Sequence, residues 1–356
     1  MLRVVAIGGG TGLSTLLRGL KQHTVQTISG STANELAAVI YSGPERRQHS
    51  EKIAQQIQGR DQLWINDLSA VVTVTDDGGS SGRLRKEFNI LPPGDIRNCL
   101  VALSEDEALL SRLFQYRFKT GEGLEGHSFG NLFLTALNSI TGDFAEAVRE
   151  SSIILATRGQ IFPATTSDVQ LTALMDDDSE VSGETKITAS KRRIIRLTMV
   201  PADARPLPQT LEAIQKADLI TIGPGSLFTS LITNVLVHGI PEAIANSKAV
   251  KVYICNLMTQ ANESLNLTAS EHIKKIYEHA GIRVFDYALA NTGKISEELL
   301  SRYAEEGAAP IEVDEKAIEA LGVKCITGNF VDEGDVVRHN TTRLAGELYR
   351  IALTRP

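Results

Sequence analysis

Short apolar runs alternate with amphipathic stretches along most of the chain, and that alternation predicts its elements. "RVVAIGGG" is an apolar strand running into glycine, and "TGLSTLLRGLK" follows with Leu13, Leu16, Leu17 and Leu20 at helical spacing. "AVVTVTDD" (70–77) is apolar and β-branched on both faces, as a central parallel strand is. "LPPGDIRNCLVAL" predicts a helix capped by Asp95 with a stripe of Ile96, Cys99, Leu100 and Leu103. "SEDE" at 104–107 reads as a capping box for a helix through Leu110, Leu113 and Phe114. "GHSFGNLFLTALNSI" and "GDFAEAVRESS" predict two more helices.

From about 159 to 200 the pattern turns polar and strand-like, a small β-rich excursion expected to attach to the main sheet. Strand–helix alternation then resumes through "DLITIG", "VKVYICN", "SEHIKKIYEHAG", "RVFDYAL" and "SEELLSRYAEEG", and a last helix closes the chain. The expected fold is a single α/β domain over 1–356, a doubly wound, mostly parallel Rossmann-like sheet. Ligands of such sheets lie beyond the strands' carboxyl ends, where strand order reverses, which selects the loops to read.

Five loops carry candidate chemistry. "GGGTG" (8–12) offers Gly9, Gly10, Thr11 and Gly12 for close backbone approach to an anion at a helix start. Its spacing fits neither the dinucleotide fingerprint nor a P-loop with its lysine, which argues against an NAD-dependent oxidoreductase. "DDGGSSGRLR" (76–85) places Asp76 and Asp77 where they can meet sugar hydroxyls or the waters of Mg²⁺. Gly79, Ser80 and Ser81 suggest a donor nest, and Arg83 a phosphate partner. In "PPGDIRN", Arg97 and Asn98 follow Asp95 in the first turn, where an arginine opposes the helix dipole unless an anion binds there. "GHSFGN" carries His127, the best general acid/base candidate if the chain is an enzyme, with Asn131 beside it. "TIGPGSLFTS" repeats the glycine-turn design with Gly223, Gly225, Ser226 and Ser230 and predicts a second anion site. Thr165, Asn256 and Arg338 are weaker candidates at other strand or helix ends, and His272 and His279 are expected to face water.

Composition narrows the class. With 42% hydrophobic and 22% charged residues and a formal charge of -7, the chain reads as a globular protein and not a nucleic-acid polymer binder. Its 3 cysteines are widely spaced, as free thiols of a reducing cytoplasm are. No apolar run suits a signal peptide or membrane insertion.

The blocks "VVAIGGGTGLSTLLRGLK", "VTVTDDGGSSGRLR", "LPPGDIRNCLVALS", "GHSFGNLFL", "DLITIGPGSLFTSLI" and "IPEAIANSKAVKVYICNLMTQ" resemble the bacterial gluconeogenesis factor family (YvcK-like proteins). That family is related to the 2-phospho-L-lactate transferases (CofD-like). The resemblance covers 1–23 and 67–356. It implies a Rossmann-like fold, a cytoplasmic location and binding of UDP-sugars, chiefly UDP-N-acetylglucosamine. It also implies a role in growth on gluconeogenic carbon sources, in cell shape and in cell-wall synthesis, with a wall-synthesis enzyme or kinase, or a second copy of the chain, as partner. The transferase relatives use an activated guanosine diphosphate compound with Mg²⁺, and their aspartates fall where Asp76 and Asp77 stand. A Mg-dependent, nucleotide-linked phospho-transferase is therefore the alternative. Between 24 and 66 the chain carries a polar segment that resembling proteins mostly lack, expected to be a surface insertion or a cover for the pocket.

Overall fold

A computed structural model describes residues 2–24, 65–105, 109–190, 192–261 and 263–353. The expected insertion at 24–66, apart from its ends, lies outside these residues, as do Asp106 and Glu107 of the proposed capping box.

Among the described residues, strand β1 (Leu2–Gly8) lies inside a seven-stranded sheet. Its neighbours are β2 (Ile65–Val72) on one side and β7 (Leu219–Ile222) on the other. β3 (Gln160–Pro163) extends the first side. β8 (Val250–Ile254), β9 (Tyr287–Asn291) and β10 (Lys324–Gly328) extend the second. Every pairing is parallel, in the order β10-β9-β8-β7-β1-β2-β3. Both faces of β1 and β7 are buried, which is why these runs lack polar alternation. The chain winds outward from β1 through β3, then returns across it to β7. The order therefore reverses between β1 and β7, and the crevice beyond their carboxyl ends is the expected ligand position.

Helix α1 (Gly10–Lys21) buries Leu13, Leu16, Leu17 and Leu20 completely. It packs on the helix Gly94–Leu103 and on the closing helix Thr341–Leu353. At roughly 2 kcal/mol per buried leucine, this apolar stripe holds the first glycine turn against the sheet.

Three expectations need correcting. The second strand stops at Val72, and 73–77 run on as extended loop. The first strand of the 159–200 excursion, β3, belongs to the main sheet. The remainder forms a separate antiparallel sheet of β5 (Glu180–Ser182), β4 (Gln170–Met175) and β6 (Ile194–Val200), with a helix at Glu184–Ala189 that alternation alone concealed. Its signal was local: Gly183 has φ +97°, a conformation suited to glycine, immediately before Glu184 in the first turn. No single helix among the described residues is long and apolar enough to cross a membrane.

Candidate functional site

The two glycine turns face one another. β1 ends at Gly8, and Gly10, with φ +60°, turns the chain into α1. A Cβ on Gly12 would lie 2.3 Å from the Pro224 carbonyl oxygen and 3.0 Å from Gly225 Cα, so the β1 and β7 turns touch backbone to backbone. Between them opens a cavity of about 340 Å³, bordered by Gly9, Gly10, Thr11, Gly12, Gly225, Ser226, Ser230, Asn256 and Arg338. Nine of the sequence candidates thus meet in one place.

The donors are unequally available. A helix leaves its first N–H groups without intrahelical partners. On the β1 side, the Gly10 N–H favours the charged form of the nearby Asp95 carboxylate, while Thr11 and Gly12 of the same first turn border the cavity. On the β7 side three amides, those of Gly223, Gly225 and Phe228, are already committed. Asn256 accepts from Gly225 N–H at 3.1 Å and donates to Gly225 C=O at 2.8 Å. Buried Glu263 accepts from Phe228 N–H at 3.2 Å and from the Thr229 hydroxyl at 2.8 Å. Its carboxylate occupies the helix start where a second bound anion was expected. Gly223 N–H likewise bonds Ile7 C=O at 3.0 Å. At the cavity the β7 turn also places the hydroxyls of Ser226 and Ser230. Asn256→Ala strips both partners from Gly225 and is expected to lower stability by about 1–3 kcal/mol in denaturant titration; a change below ~0.5 kcal/mol would show the clamp to be dispensable.

The cavity is bordered as well by a packed apolar group, Leu257, Met258, Tyr303 and Val337, and by Gln260 and His339. These residues escaped the sequence reading except for His339, which adjoins Arg338. Val337–His339 form β12, paired with β11 (Val331–Glu333) in an antiparallel hairpin. Gln260 Nε2 donates to Ser226 Oγ at 2.9 Å, and among the described residues its Oε1 has no partner.

The second motif opens elsewhere. Asp77 and Gly79 border a different cavity of about 830 Å³, between helix α2 (Gly79–Phe88) and the antiparallel sheet. Asp77 accepts from Thr185 N–H at 2.8 Å and from its hydroxyl, and Asp76 accepts from Gly78 N–H at 2.9 Å. Among the described residues, no group of three or more His, Cys, Asp or Glu side chains is placed to hold a metal ion. Several other candidates are committed within the protein. Buried Ser80 bonds His127 Nδ1 at 2.9 Å and accepts from Asn131 at 3.1 Å. His127 and Asn131 are themselves buried, so His127 faces neither cavity as an acid or base. Ser81 is buried beneath Gly94.

Arg97 donates to neutral acceptors within the protein, Ser128 at 2.6 Å, Asn131 at 3.1 Å and Asn98 at 2.8 Å, and among the described residues its buried Nε has no partner. Arg83 donates to Glu125 C=O at 2.7 Å. Thr165, fully buried, donates to Arg205 C=O at 2.6 Å and borders neither of these two cavities. His272 and His279, expected at the water face, are respectively buried and half-buried; they bond Tyr253 at 3.0 Å and Leu197 N–H at 2.9 Å.

Asp95 lies within the first turn of helix α3 (Gly94–Leu103), not at its cap, and faces the β1 turn. A Cβ on Gly9 would come 2.9 Å from its Oδ2. Burial pushes its carboxyl up to about 6, against the opposing Gly10 N–H and with help from nearby Asp76. Glu184, which the sequence reading missed, receives the Thr75 hydroxyl at 3.1 Å. Burial, then Asp76 and Asp95, push it up to about 9.

Comparison with known proteins places this geometry. A family model described as 2-phospho-L-lactate transferase CofD matches residues 4–331. A gluconeogenesis factor of Halalkalibacterium halodurans is 46% identical over 343 residues, covering 96% of this chain and 94% of its own. The Bacillus subtilis gluconeogenesis factor is 43% identical, with coverages of 97% and 96%. A crystal structure of a UPF0052 family member from Bacillus halodurans superposes with a TM-score of 0.84 at 45% identity, covering 98% of this chain and 99% of that one. With the family model spanning most of its length and relatives matching it nearly end to end, the chain belongs to the CofD family, in the branch of the gluconeogenesis factors.

Proposed function

We propose that the cavity between the β1 and β7 turns binds a nucleotide sugar, UDP-N-acetylglucosamine foremost. On this reading the chain is a cytoplasmic factor supporting growth on gluconeogenic carbon sources, cell shape and cell-wall synthesis. One observation carries it: a helix start of Gly9–Gly12, at the point where strand order reverses, borders a cavity that a packed apolar group also lines. First-turn amides and the helix dipole suit a diphosphate, the serine hydroxyls suit a sugar, and the apolar group suits a planar base. The relatives' names as gluconeogenesis factors support the gluconeogenic role. Sugar binding would favour one conformer, recognised by a wall-synthesis enzyme, a kinase or a second copy of the chain. Isothermal calorimetry with UDP-N-acetylglucosamine tests the reading: saturable heat is expected, and neither heat nor a thermal shift at millimolar ligand would overturn it.

The alternative is a Mg-dependent, nucleotide-linked phospho-transferase, favoured by the family match and by Asp76 and Asp77 at the β2 end. Among the described residues the carboxylates do not form a cage for the ion. Mg²⁺ would have to be held largely by water and substrate phosphate, so no step is assigned to it.

A further inference from the structure

The antiparallel sheet borders a third cavity, of about 310 Å³, at the opposite end from the one beside Asp77. It shares no bordering residue with either cavity described above. Its walls are the start of β6, the helix Ala269–Ala280 and the loop at 265–267, and its size falls within the roughly 300–1,000 Å³ of ligand pockets.

Two kinds of surface meet there. Ile194, Ile195, Leu265 and Leu267 supply an apolar lining, and Arg192, Arg193 and Lys275 supply positive charge. Arg192 is engaged by Asp177 and Ser179, and Lys275 donates to Glu278 at 2.8 Å. The exposed Arg193 guanidinium has no partner among the described residues, although Asp176 stands on the same rim. A guanidinium fork beside apolar walls fits a compact anion with a carbon body.

Glu263 ties this cavity to the first one. It is 7% exposed and borders the third cavity, while its carboxylate accepts from Phe228 N–H and the Thr229 hydroxyl at the helix start after the β7 turn. Gln260, at the other end of the same tight turn, borders the first cavity and donates to Ser226. The turn is closed by its own hydrogen bonds. Gln260 C=O accepts from Glu263 N–H at 3.2 Å and from Ser264 N–H at 3.0 Å, and Ser264 Oγ accepts from Gln260 N–H at 3.1 Å. One turn therefore grips Ser226 with one end and Phe228 and Thr229 with the other. The cations of the third cavity compete with Phe228 N–H for the Glu263 carboxylate, since unlike charges attract strongly where water is sparse. An anion seated on Arg193 would take up that field and leave Glu263 to the helix start.

We propose that the third cavity is an effector site for a small organic anion, an apolar body bearing one phosphate or carboxylate group, and that its occupancy tightens the β7 turn through Glu263. That the tightened turn serves a nucleotide rests on the reading above; the effector site itself does not.

The test is calorimetry of the full chain with phenyl phosphate, benzoate and the neutral benzyl alcohol, followed by hydrogen exchange of residues 226–232. Saturable binding of at least one anion is expected and none of benzyl alcohol, and the tighter of the two anions identifies the head group. Arg193→Met should weaken that anion at least about fivefold by removing charge-assisted hydrogen bonds. Asp176→Asn should strengthen it severalfold by removing a like charge, a gain that loss of structure would not produce. The bound anion should slow exchange at 226–232 by about threefold or more, and the Glu263→Gln variant should bind it yet lose that protection. Absence of binding, equal binding of benzyl alcohol, indifference to both Arg193→Met and Asp176→Asn, or unchanged exchange on binding would overturn the inference. Anion binding should persist under saturating UDP-N-acetylglucosamine; displacement would place the anion in the first cavity and overturn it too. Failure of UDP-N-acetylglucosamine to bind would strike the nucleotide reading alone.

Discussion

Gly12→Ala is expected to destabilise the protein by about 1–3 kcal/mol and to weaken nucleotide binding more than tenfold. The cause is overpacking at a backbone contact. The added Cβ would lie 2.3 Å from the Pro224 oxygen and 2.7 Å from its carbonyl carbon, and neither atom can rotate away. Relief requires the β1 and β7 turns to separate, which widens the anion site at its narrowest point. Gly346→Ala is the matched contrast. It lies inside the helix Thr341–Leu353, with nothing within 4 Å of the new methyl group. That substitution should instead stabilise by about 0.5–1 kcal/mol through helix propensity. Chemical denaturation with calorimetry on both variants decides the matter. Equal stability and equal affinity in the two would show that the turns are not packed as described.

The second large effect is a pH dependence of stability centred on Glu184. Its folded carboxyl titrates near 9 against an ordinary value of 4.5, raised first by burial and then by Asp76 and Asp95. Between those values the folded chain holds a proton that the unfolded chain has released. The sign follows: stability is greatest below about 4.5 and is lost as pH rises towards 9, by at most about 1.4 kcal/mol per pH unit for one proton. Asp95, pushed up to about 6, adds a loss of the same sign below that pH. Glu184→Gln keeps an acceptor for the Thr75 hydroxyl but cannot ionise. It should match wild type near pH 5 and exceed it by about 2–3 kcal/mol at pH 8. Denaturant midpoints at the two pH values are the readout, and parallel pH profiles for the two proteins would refute the assignment.

The origin of this group explains why it was not foreseen. Glu184 follows Gly183 in what alternation reads as strand, and only the folding of the antiparallel sheet over the β2 end brings it to Thr75. A residue made acidic or basic by neighbours about 110 positions away leaves no mark in its local sequence.

Local rules did reach far elsewhere. Periodicity located β1, α1, β7 and β8, because apolar runs and leucine stripes are set by burial, which acts residue by residue. Glycine at 9, 10 and 12 marked a close backbone approach, because no other residue has the freedom or the absence of bulk that such a turn demands. Together with the reversal rule for parallel sheets, these were enough to find the crevice before any coordinates.

Which polar groups remain open to a ligand was decided in three dimensions. Asn256 and Glu263 stand 31 and 35 positions from the β7-turn groups whose N–H they bond, and they take up two of the amides that the turn would otherwise offer a ligand. Arg97, His127 and Thr165 carry the residue types of a site, yet each is paired with partners that only packing supplies. Conversely, Tyr303 and the β12 hairpin enter the cavity from segments with no motif of their own. Strand and turn preferences are short-range and therefore written locally. The pairing of a donor with an acceptor is a long-range outcome, since each buried polar group takes whichever partner the fold brings within about 3 Å.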